Sequence, residues 1–149
     1  MHVVLVEPEI PPNTGSIGRL CVATDTPLHL VEPLGFMIDD KHVRRAGLDY
    51  WPHVRLHLHH DWIAFEADRP RGRLLCFAAR APRSYLEVRY RADDLLVFGG
   101  ESHGLPPAIR DAHADALVGI PIDSPHVRSL NLATAVAIAL YEARRQLAA

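Results

Sequence analysis

The stretch LVGIPIDSPHVRSLNLATAVAIALYEARRQ, from Leu117 to Gln146, decides the fold because it joins a short apolar strand, a turn and a long apolar helix. Leu117 to Ile120 predicts the strand, and the proline-, aspartate- and serine-rich residues that follow predict a turn. From Leu132 to Tyr141 no side chain is charged. A helix that is apolar on nearly every face must be buried on nearly every face. We therefore expect part of this helix to meet a second subunit.

The residues just before this helix are polar. Ser129 and Asn131 belong to the segment RSLN, close to the first backbone N–H groups of the helix, which have no partner within it. These side chains can cap the helix, and they can also hold a small polar ligand. We predict that the segment forms the floor of a ligand site and one wall of a dimer interface.

The length and composition predict one domain over residues 1–149. Hydrophobic residues make up 48% of the chain, which is enough for a core. No apolar run approaches the roughly 20 residues of a membrane span, and the start, MHVVLVEPE, lacks the basic region of a signal peptide. We therefore expect a cytoplasmic protein without a membrane partner. Cys21 and Cys76 lie in apolar surroundings and are predicted to be buried free thiols.

The charged residues leave the question of a nucleic-acid partner open. The formal net charge of −2 argues against nonspecific coating of nucleic acid. Lys41 is the only lysine, so nearly all cations are arginines, which suit bidentate contacts to phosphate and stacking on bases. A genomic bias toward arginine codons explains the same composition equally well. A local basic surface for RNA remains compatible with the acidic total.

Apolar runs alternate with helical patterns, which is typical of an α/β fold with a parallel sheet and helices on both faces. The strands are predicted at His2–Val6, Leu28–Val31, Arg55–Leu58, Leu74–Ala79, Leu95–Phe98 and Leu117–Ile120.

Four shorter helices are predicted between these strands. The first is capped by Asn13 or Thr14 and ends near Ala23, the second runs from Asp39 or Asp40 to Gly47, the third is capped by Asp61 and the fourth covers Pro106–Ala112. Ligands of such sheets bind outside the carboxyl ends of the strands. Here those ends are Glu7–Asn13, Phe77–Arg80, Gly99–Gly104 and Ile120–Ser129.

The loops at this edge of the sheet lack the common phosphate-binding motifs. The first loop, EPEIPPNTGSIGRL, is neither a dinucleotide-binding glycine turn nor a phosphate loop. Its Arg19 can reach a phosphate or a ribose, although Asn13 can simply cap the helix and Arg19 can face solvent. In FGGESHGLP, residues 98–106, glycine allows close approach of a ligand or a tight turn. Glu101 can cap the next helix or act on substrate, and His103 can be a base or a solvated side chain.

Four histidines lie close together in the sequence, at positions 53, 57, 59 and 60. Alternate side chains of an extended segment point to opposite faces, no cysteine lies nearby, and no pair has the spacing of helical zinc ligands. We therefore predict no metal site. The sequence also lacks the serine elbow of a hydrolase.

Three patches together resemble the SPOUT class of RNA methyltransferases, in its ribose 2′-O branch. They are EPEIPPNTGSIGRLC, LLVFGGESHGLP and IPIDSPHVRSLNLATAVAIALYEA, which begin at Glu7, Leu95 and Ile120. Each patch alone is only weakly specific for the class. Together, in this order and spacing, they are a strong indication of it, and the likeness covers essentially the whole chain. Three departures stand out: Gly18 lies where many relatives have a bulky apolar residue, the loop IPIDSPHVRS is one residue longer than in near relatives, and Ala133 replaces a frequent serine.

The resemblance implies a SPOUT-type sheet with a deep trefoil knot near its carboxyl end and an obligate homodimer packed through the last helix. It implies S-adenosylmethionine as methyl donor, no metal, and tRNA as partner. In small members of the class the acceptor is the ribose of the wobble nucleotide, cytidine or modified uridine at position 34, of certain leucine tRNAs. The implied donor contacts are Phe77, Gly99, Ile120, Ser129 and Leu130, the implied substrate contacts are Asn13, Arg19, Glu101 and Asn131, and Arg19 is the implied catalytic residue.

Two other functions compete with this interpretation. A dimeric RNA-binding protein without catalysis is disfavoured by the intact Arg19 and Asn131. A flavodoxin-like protein is disfavoured because no loop offers a phosphate cradle. In the methyl transfer itself, a ribose 2′-hydroxyl would attack the methyl group directly, and alignment would supply most of the acceleration. A guanidinium stays protonated, so the sequence leaves the proton acceptor unassigned.

Overall fold

The structure is a computed structural model that describes residues 1–39, 41 and 49–148. Its strands are β1 (His2–Val6), β2 (Leu28–Val31), β3 (Leu56–His59), β4 (Leu74–Phe77), β5 (Leu95–Phe98) and β6 (Leu117–Val118). Its α-helices within those ranges are α1 (Pro11–Ala23), α2 (Trp62–Asp68), α3 (Pro107–Ala112) and α4 (Leu132–Leu147). Short 3-10 helices cover Trp51–His53, Tyr85–Glu87 and Ala114–Ala116.

The six strands form one sheet in the order β3-β2-β1-β5-β4-β6, and every neighbouring pair is parallel. The central strands are solid apolar runs because both of their faces are covered. On one face, β1 and β5 pack against residues of α1 and α4 such as Ile17 and Leu140. On the other face they pack against Phe65 of α2 and Ile109 of α3. The predicted α/β sheet with helices on both faces is thereby confirmed.

The first helix begins earlier than predicted and without a cap from its own segment. It starts at Pro11, and its N-cap residue, Ile10, makes no side-chain hydrogen bond. Proline suits the first turn because it lacks the N–H that would have no partner there. The prediction that Asn13 or Thr14 caps the helix is therefore wrong, whereas the predicted end at Ala23 is confirmed.

The other boundaries differ by one or two residues. The prediction that Asp61 caps the third helix is confirmed, because its side chain accepts a hydrogen bond from the backbone N–H of Ala64. Strand β3 is shifted by one residue, and β4 and β6 each end two residues before their predicted ends. Proline 106 is the N-cap of α3 and not its first residue. The helix predicted from Asp39 or Asp40 to Gly47 falls largely outside the described residues.

The terminal helix α4 is buried along one side. Asn131 caps it by accepting a hydrogen bond from the backbone N–H of Thr134 at 3.1 Å. Val136 and Leu140 are fully buried against the sheet, whereas Tyr141 is 52% exposed on the outer side. This apolar helix is thus only partly covered within a single chain.

Two further expectations concern thiols and membranes. Cys21 and Cys76 are free and buried, as predicted, and burial raises the pKa of each thiol to about 12. No helix in the described part of the chain has the length and hydropathy needed to cross a membrane.

Candidate active site

A cavity of about 620 Å³ lies at the carboxyl ends of β4, β5 and β6. Three chain segments enclose it: the residues after Phe77, the loop from Gly99 to Leu105, and the segment that leads from Ile120 to α4. All five predicted donor contacts line this cavity: Phe77, Gly99, Ile120, Ser129 and Leu130. Because they come from three loops distant in sequence, the fold itself brings them together.

Three of the predicted substrate contacts, Asn13, Glu101 and Asn131, also line the cavity. Arg19 does not. It is exposed on α1, and its guanidinium carbon lies 5.2 Å from the centre of the Tyr50 ring. The sequence predicts that Arg19 opens toward the cleft of Gly99 and Ser129, but the structure places it outside the cavity of its own chain.

The apolar wall of the cavity is a pair of stacked aromatic rings. Phe77 and Phe98 are neighbours on β4 and β5, with ring centres 4.7 Å apart and planes inclined by only 15°. Both side chains are almost fully buried. Such a wall, beside backbone N–H and C=O groups of the surrounding loops, suits a flat heterocycle with a few polar atoms.

Gly99 allows its loop to close tightly, which is one of the two roles that the sequence leaves open for glycine here. The other role, close approach of a ligand, predicts that a Cβ at this position would occupy ligand space. In the structure, that Cβ would lie 2.0 Å from the carbonyl carbon of Gly104 and 2.1 Å from the backbone nitrogen of Leu105. The loop folds back on itself through a bridge between Gly100 and Gly104, so Gly99 lets the loop close, and only then shapes the cavity.

Glu101 holds the start of α1 from another loop. Its carboxylate accepts hydrogen bonds from the backbone N–H groups of Glu9 at 2.9 Å and Ile10 at 2.7 Å, and from the side chain of Asn13 at 3.3 Å. It therefore does not cap the next helix, whose N-cap is Pro106, while its contact with substrate stays a prediction. These bonds anchor the residues that lead into α1, whose first two residues are prolines with no N–H to cap.

A second carboxylate, not identified from the sequence, makes the reciprocal contact. Glu9 accepts hydrogen bonds from the backbone N–H and the hydroxyl of Ser102, at 3.1 and 2.6 Å. The Ser102 hydroxyl and N–H hold the pKa of Glu9 below its usual range. Since the paired residues are more than 90 positions apart, no local pattern could have indicated this clasp between the two loops.

The segment before α4 is tied to the same loops. The side-chain amide of Asn131 donates to the side-chain oxygen of Asn13 at 3.0 Å. The guanidinium of Arg128 donates to the carbonyl oxygen of Ser102 at 3.3 Å. Glu101, Asn13 and Asn131 thus form a continuous chain of hydrogen bonds along the cavity, which couples the position of α1 to that of α4.

Two of the four histidines that lie close together in the sequence, His57 and His59, join His2 and His29 in a ladder of rings on the sheet. The Nδ1 of His2 lies 3.0 Å from Nε2 of His29, and Nδ1 of His29 lies 2.9 Å from Nε2 of His59. The ring of His57 stacks on His29 at 4.7 Å. Among the described residues, no group of three or more histidine, cysteine, aspartate or glutamate side chains is placed to hold a metal ion.

A parallel α/β sheet with a ligand-sized cavity at the carboxyl ends of its strands is shared by many enzymes, and comparison of the sequence with known families identifies which class this one is. Residues 1–141 match the SpoU rRNA Methylase family, and the chain belongs to that family. The resemblance drawn from the three sequence patches is thereby confirmed.

Curated relatives narrow the class to tRNA-modifying enzymes. The tRNA (cytidine(34)-2′-O)-methyltransferase of Escherichia coli (strain K12) is 48% identical over 149 residues, covering 99% of this chain and 94% of the relative. The enzyme of the same name from Burkholderia pseudomallei (strain 1106a) is 47% identical over 149 residues, covering 97% of this chain and 94% of the relative.

Solved structures agree with this placement. One that concerns the 2-OH methylation of C/U34 on tRNA superposes with a TM-score of 0.93 at 49% identity, covering 99% of this chain and 95% of the other. An AdoMet-bound rRNA methyltransferase from Sinorhizobium meliloti superposes with a TM-score of 0.86 at 26% identity, covering 98% of this chain and 56% of the other.

Proposed function

We propose that this chain transfers a methyl group from S-adenosylmethionine to the ribose 2′-hydroxyl of nucleotide 34 in tRNA. The observation that carries the proposal is the convergence of Phe77, Gly99, Ile120, Ser129 and Leu130 on one cavity, in a chain whose relatives at 47–49% identity act at that position. Leucine tRNAs are the proposed substrates, following the family resemblance, and the cytoplasm is the proposed compartment.

The cavity fits the proposed donor in size and chemistry. Its volume of about 620 Å³ lies within the usual range for a drug-sized ligand. The stacked Phe77 and Phe98 would face the adenine, and backbone groups near Gly99 and Ile120 would provide its hydrogen bonds. When bound, the donor supplies an electrophilic methyl group on a sulfonium centre.

The protein contributes mainly by alignment. Asn13 and Asn131 lie at the junction between α1 and the cavity, where they would orient the acceptor ribose against the methyl group. Holding nucleophile and electrophile in line can account for several powers of ten in rate. The Glu101 and Glu9 contacts fix the loops in which these groups lie.

Arg19 is proposed to hold the RNA at a distance from the reacting atoms. It follows Asn13 by six residues on α1, a separation of about 9 Å along the helix axis. That distance suits a contact with a phosphate beside the target nucleotide, to which a guanidinium can donate two parallel hydrogen bonds. Because a guanidinium stays protonated, the hydroxyl proton would pass to a phosphate oxygen or to water.

A symmetric homodimer with a trefoil knot is the proposed form of the protein. The partly exposed apolar side of α4, including Tyr141, supports the dimer. For the knot, the support is family membership together with the adjacency of the Gly99 to Leu105 loop and the segment before α4 around one cavity. In a dimer, the RNA surface would come from both subunits.

Methyl transfer to unfractionated tRNA, followed by mapping of the modified nucleotide, tests the proposed function. We expect one 2′-O-methylated ribose at position 34 of leucine tRNAs, and no product without S-adenosylmethionine. Binding of tRNA without methyl transfer would favour a non-catalytic RNA-binding protein instead.

A further inference from the structure

A second pocket, of about 940 Å³, opens beside the cavity. Its walls come from Glu7 and Glu9 after β1, from Pro33 to Gly35 after β2, and from the loop and helix after β5. It therefore lies over the boundary between β1 and β5. The chain winds outward from β1 to β2 and β3 on one side and reaches β4, β5 and β6 on the other. Such a switch point is where open parallel sheets bind ligands.

Only one loop separates this pocket from the donor cavity. The two share the residues Gly100, His103, Gly104, Leu105 and Arg110. A nucleotide whose ribose reaches the donor could therefore place its base in the second pocket.

The loops after β1 and β5 contain three carboxylates, and that of Glu7 is the one without a hydrogen-bond partner in the described part of the chain. Glu9 is bonded to Ser102, and Glu101 to the start of α1. The backbone N–H of Glu7 donates to Val31 at 2.9 Å, and its φ of 54° is left-handed. Non-glycine residues rarely adopt that conformation, and those that do are concentrated at functional positions.

The chemistry of the pocket indicates which part of an RNA it suits. Its apolar surface includes prolines 33, 106 and 107 and leucines 34 and 105, which suit the face of a base. A carboxylate repels phosphate but accepts hydrogen bonds from N–H donors, and the exocyclic amino group of cytosine is such a donor. Arg110, at the wall shared by the two pockets, provides the cation for an adjacent phosphate.

We infer that this second pocket holds the base of the acceptor nucleotide and that Glu7 accepts a hydrogen bond from its exocyclic amino group, which favours cytidine over uridine. The inference rests on the proposed function. It makes Glu7 a specificity-determining residue.

The test compares methyl transfer to two leucine tRNA transcripts that differ only in cytidine or uridine at position 34. In Glu7→Gln the amide can still accept from cytosine but can also donate to the O4 of uridine. We expect the ratio of kcat/KM for cytidine over uridine to fall about tenfold, because uridine gains one base-specific contact while cytidine keeps its own. Asp93→Asn, the same chemical change at an exposed position at the opposite edge of the sheet, should leave the ratio unchanged.

The possible outcomes separate the inference from the proposed function. If the unmodified protein methylates both transcripts and Glu7→Gln keeps the same ratio, the inference is overturned while the function stands. If the unmodified protein methylates neither transcript nor cellular leucine tRNA, the proposed function fails and the inference falls with it. If Glu7→Gln is inactive on both, its dissociation constants for the two transcripts are compared with those of the unmodified protein. A reduced preference for cytidine supports the inference, and an unchanged preference overturns it.

Discussion

Arg19 is the residue whose position in the structure differs most from the sequence-based expectation, and its location outside the donor cavity sharpens what its removal should do. Arg19→Ala should leave the affinity for S-adenosylmethionine near that of the unmodified protein. Methyl transfer to tRNA should fall about a hundredfold, because a misplaced ribose costs that much in rate. Arg19→Lys should recover little, since one ammonium cannot reproduce the planar guanidinium.

Single-turnover assays at saturating donor, with calorimetry for donor affinity, measure the two effects separately. If Arg19→Ala transfers methyl groups as fast as the unmodified protein, Arg19 is a surface residue without a role in the reaction. Loss of donor affinity would instead place its effect in the cavity.

Gly18 also departs from the family pattern, and the structure gives a reason. A Cβ at this position would lie 2.7 Å from the Trp51 ring, so the indole occupies the space that a larger residue at 18 would need. Alanine normally stabilises a helix by about 1 kcal/mol relative to glycine. Here we expect Gly18→Ala to lower the free energy of unfolding by about 1–3 kcal/mol, as overpacking of a core does.

A double-mutant cycle with Trp51→Leu tests this explanation by urea unfolding. The smaller side chain should remove most of the cost of Gly18→Ala, giving a coupling energy of about 1 kcal/mol or more. Additive effects of the two substitutions would show that Trp51 is not the reason for glycine at this position.

At the scale of secondary-structure elements, the strands could be predicted because buried parallel strands are uninterrupted apolar runs. For residues 95–98 and 28–31, the strands predicted from the sequence have the same bounds in the structure. The start of α1 could not be predicted in this way, because the residues that lead into it, Glu9 and Ile10, donate their backbone N–H groups to Glu101, more than 90 residues away. The clasp between Glu9 and Ser102 was missed for the same reason. Motif positions in the cavity were predictable because the family resemblance names them, whereas the position of Arg19 depends on where α1 packs.

The histidine ladder is another tertiary feature hidden from the sequence, because it depends on strand register. Residue His29 pairs with His57 across β2 and β3, and His2 approaches from β1. His29 is 2% exposed. Burial, followed by the neighbouring imidazoles, lowers its pKa to about 3. Burial also lowers the pKa of His2 and His59.

Acid should therefore destabilise the protein through this ladder. An unfolded histidine takes up a proton near pH 6.5, whereas His29 stays neutral in the fold down to about pH 3. The stabilisation is complete above pH 6.5 and is lost as the pH falls below that value. For one such group, the free energy of unfolding should drop by about 1.4 kcal/mol per pH unit.

Urea unfolding at several pH values between 7 and 5 measures this dependence. The side chain of His29→Gln cannot take up a proton. The free energy of unfolding of this variant should therefore fall less steeply with decreasing pH than that of the unmodified protein, by the contribution of about one proton. His60→Gln, at an exposed position beside the ladder, should keep the original slope. Parallel curves for His29→Gln and the unmodified protein would exclude His29 as the acid-sensitive group.

For the whole molecule, the exposed side of α4 bears on assembly. Tyr141 is 52% and Leu147 43% exposed on a helix whose opposite side is buried. We expect a symmetric dimer of twice the 16.6 kDa chain mass at micromolar concentration. Tyr141→Glu should shift sedimentation toward the monomer, because a buried unpaired carboxylate at an interface is costly. The fold should survive, since Tyr141 is half exposed within a single chain and the new carboxylate would stay in contact with water in the monomer.

A matched substitution elsewhere distinguishes a specific interface from a general effect of charge. Ile63 is 78% exposed on α2, against the other face of the sheet, and Ile63→Glu should leave the dimer intact. Sedimentation velocity of the three proteins provides the measurement, and far-ultraviolet circular dichroism confirms that each is folded. Equal dissociation by both variants would rule out α4 as the specific interface. A monomer for the unmodified chain would rule out the dimer altogether and require the RNA surface to come from one subunit.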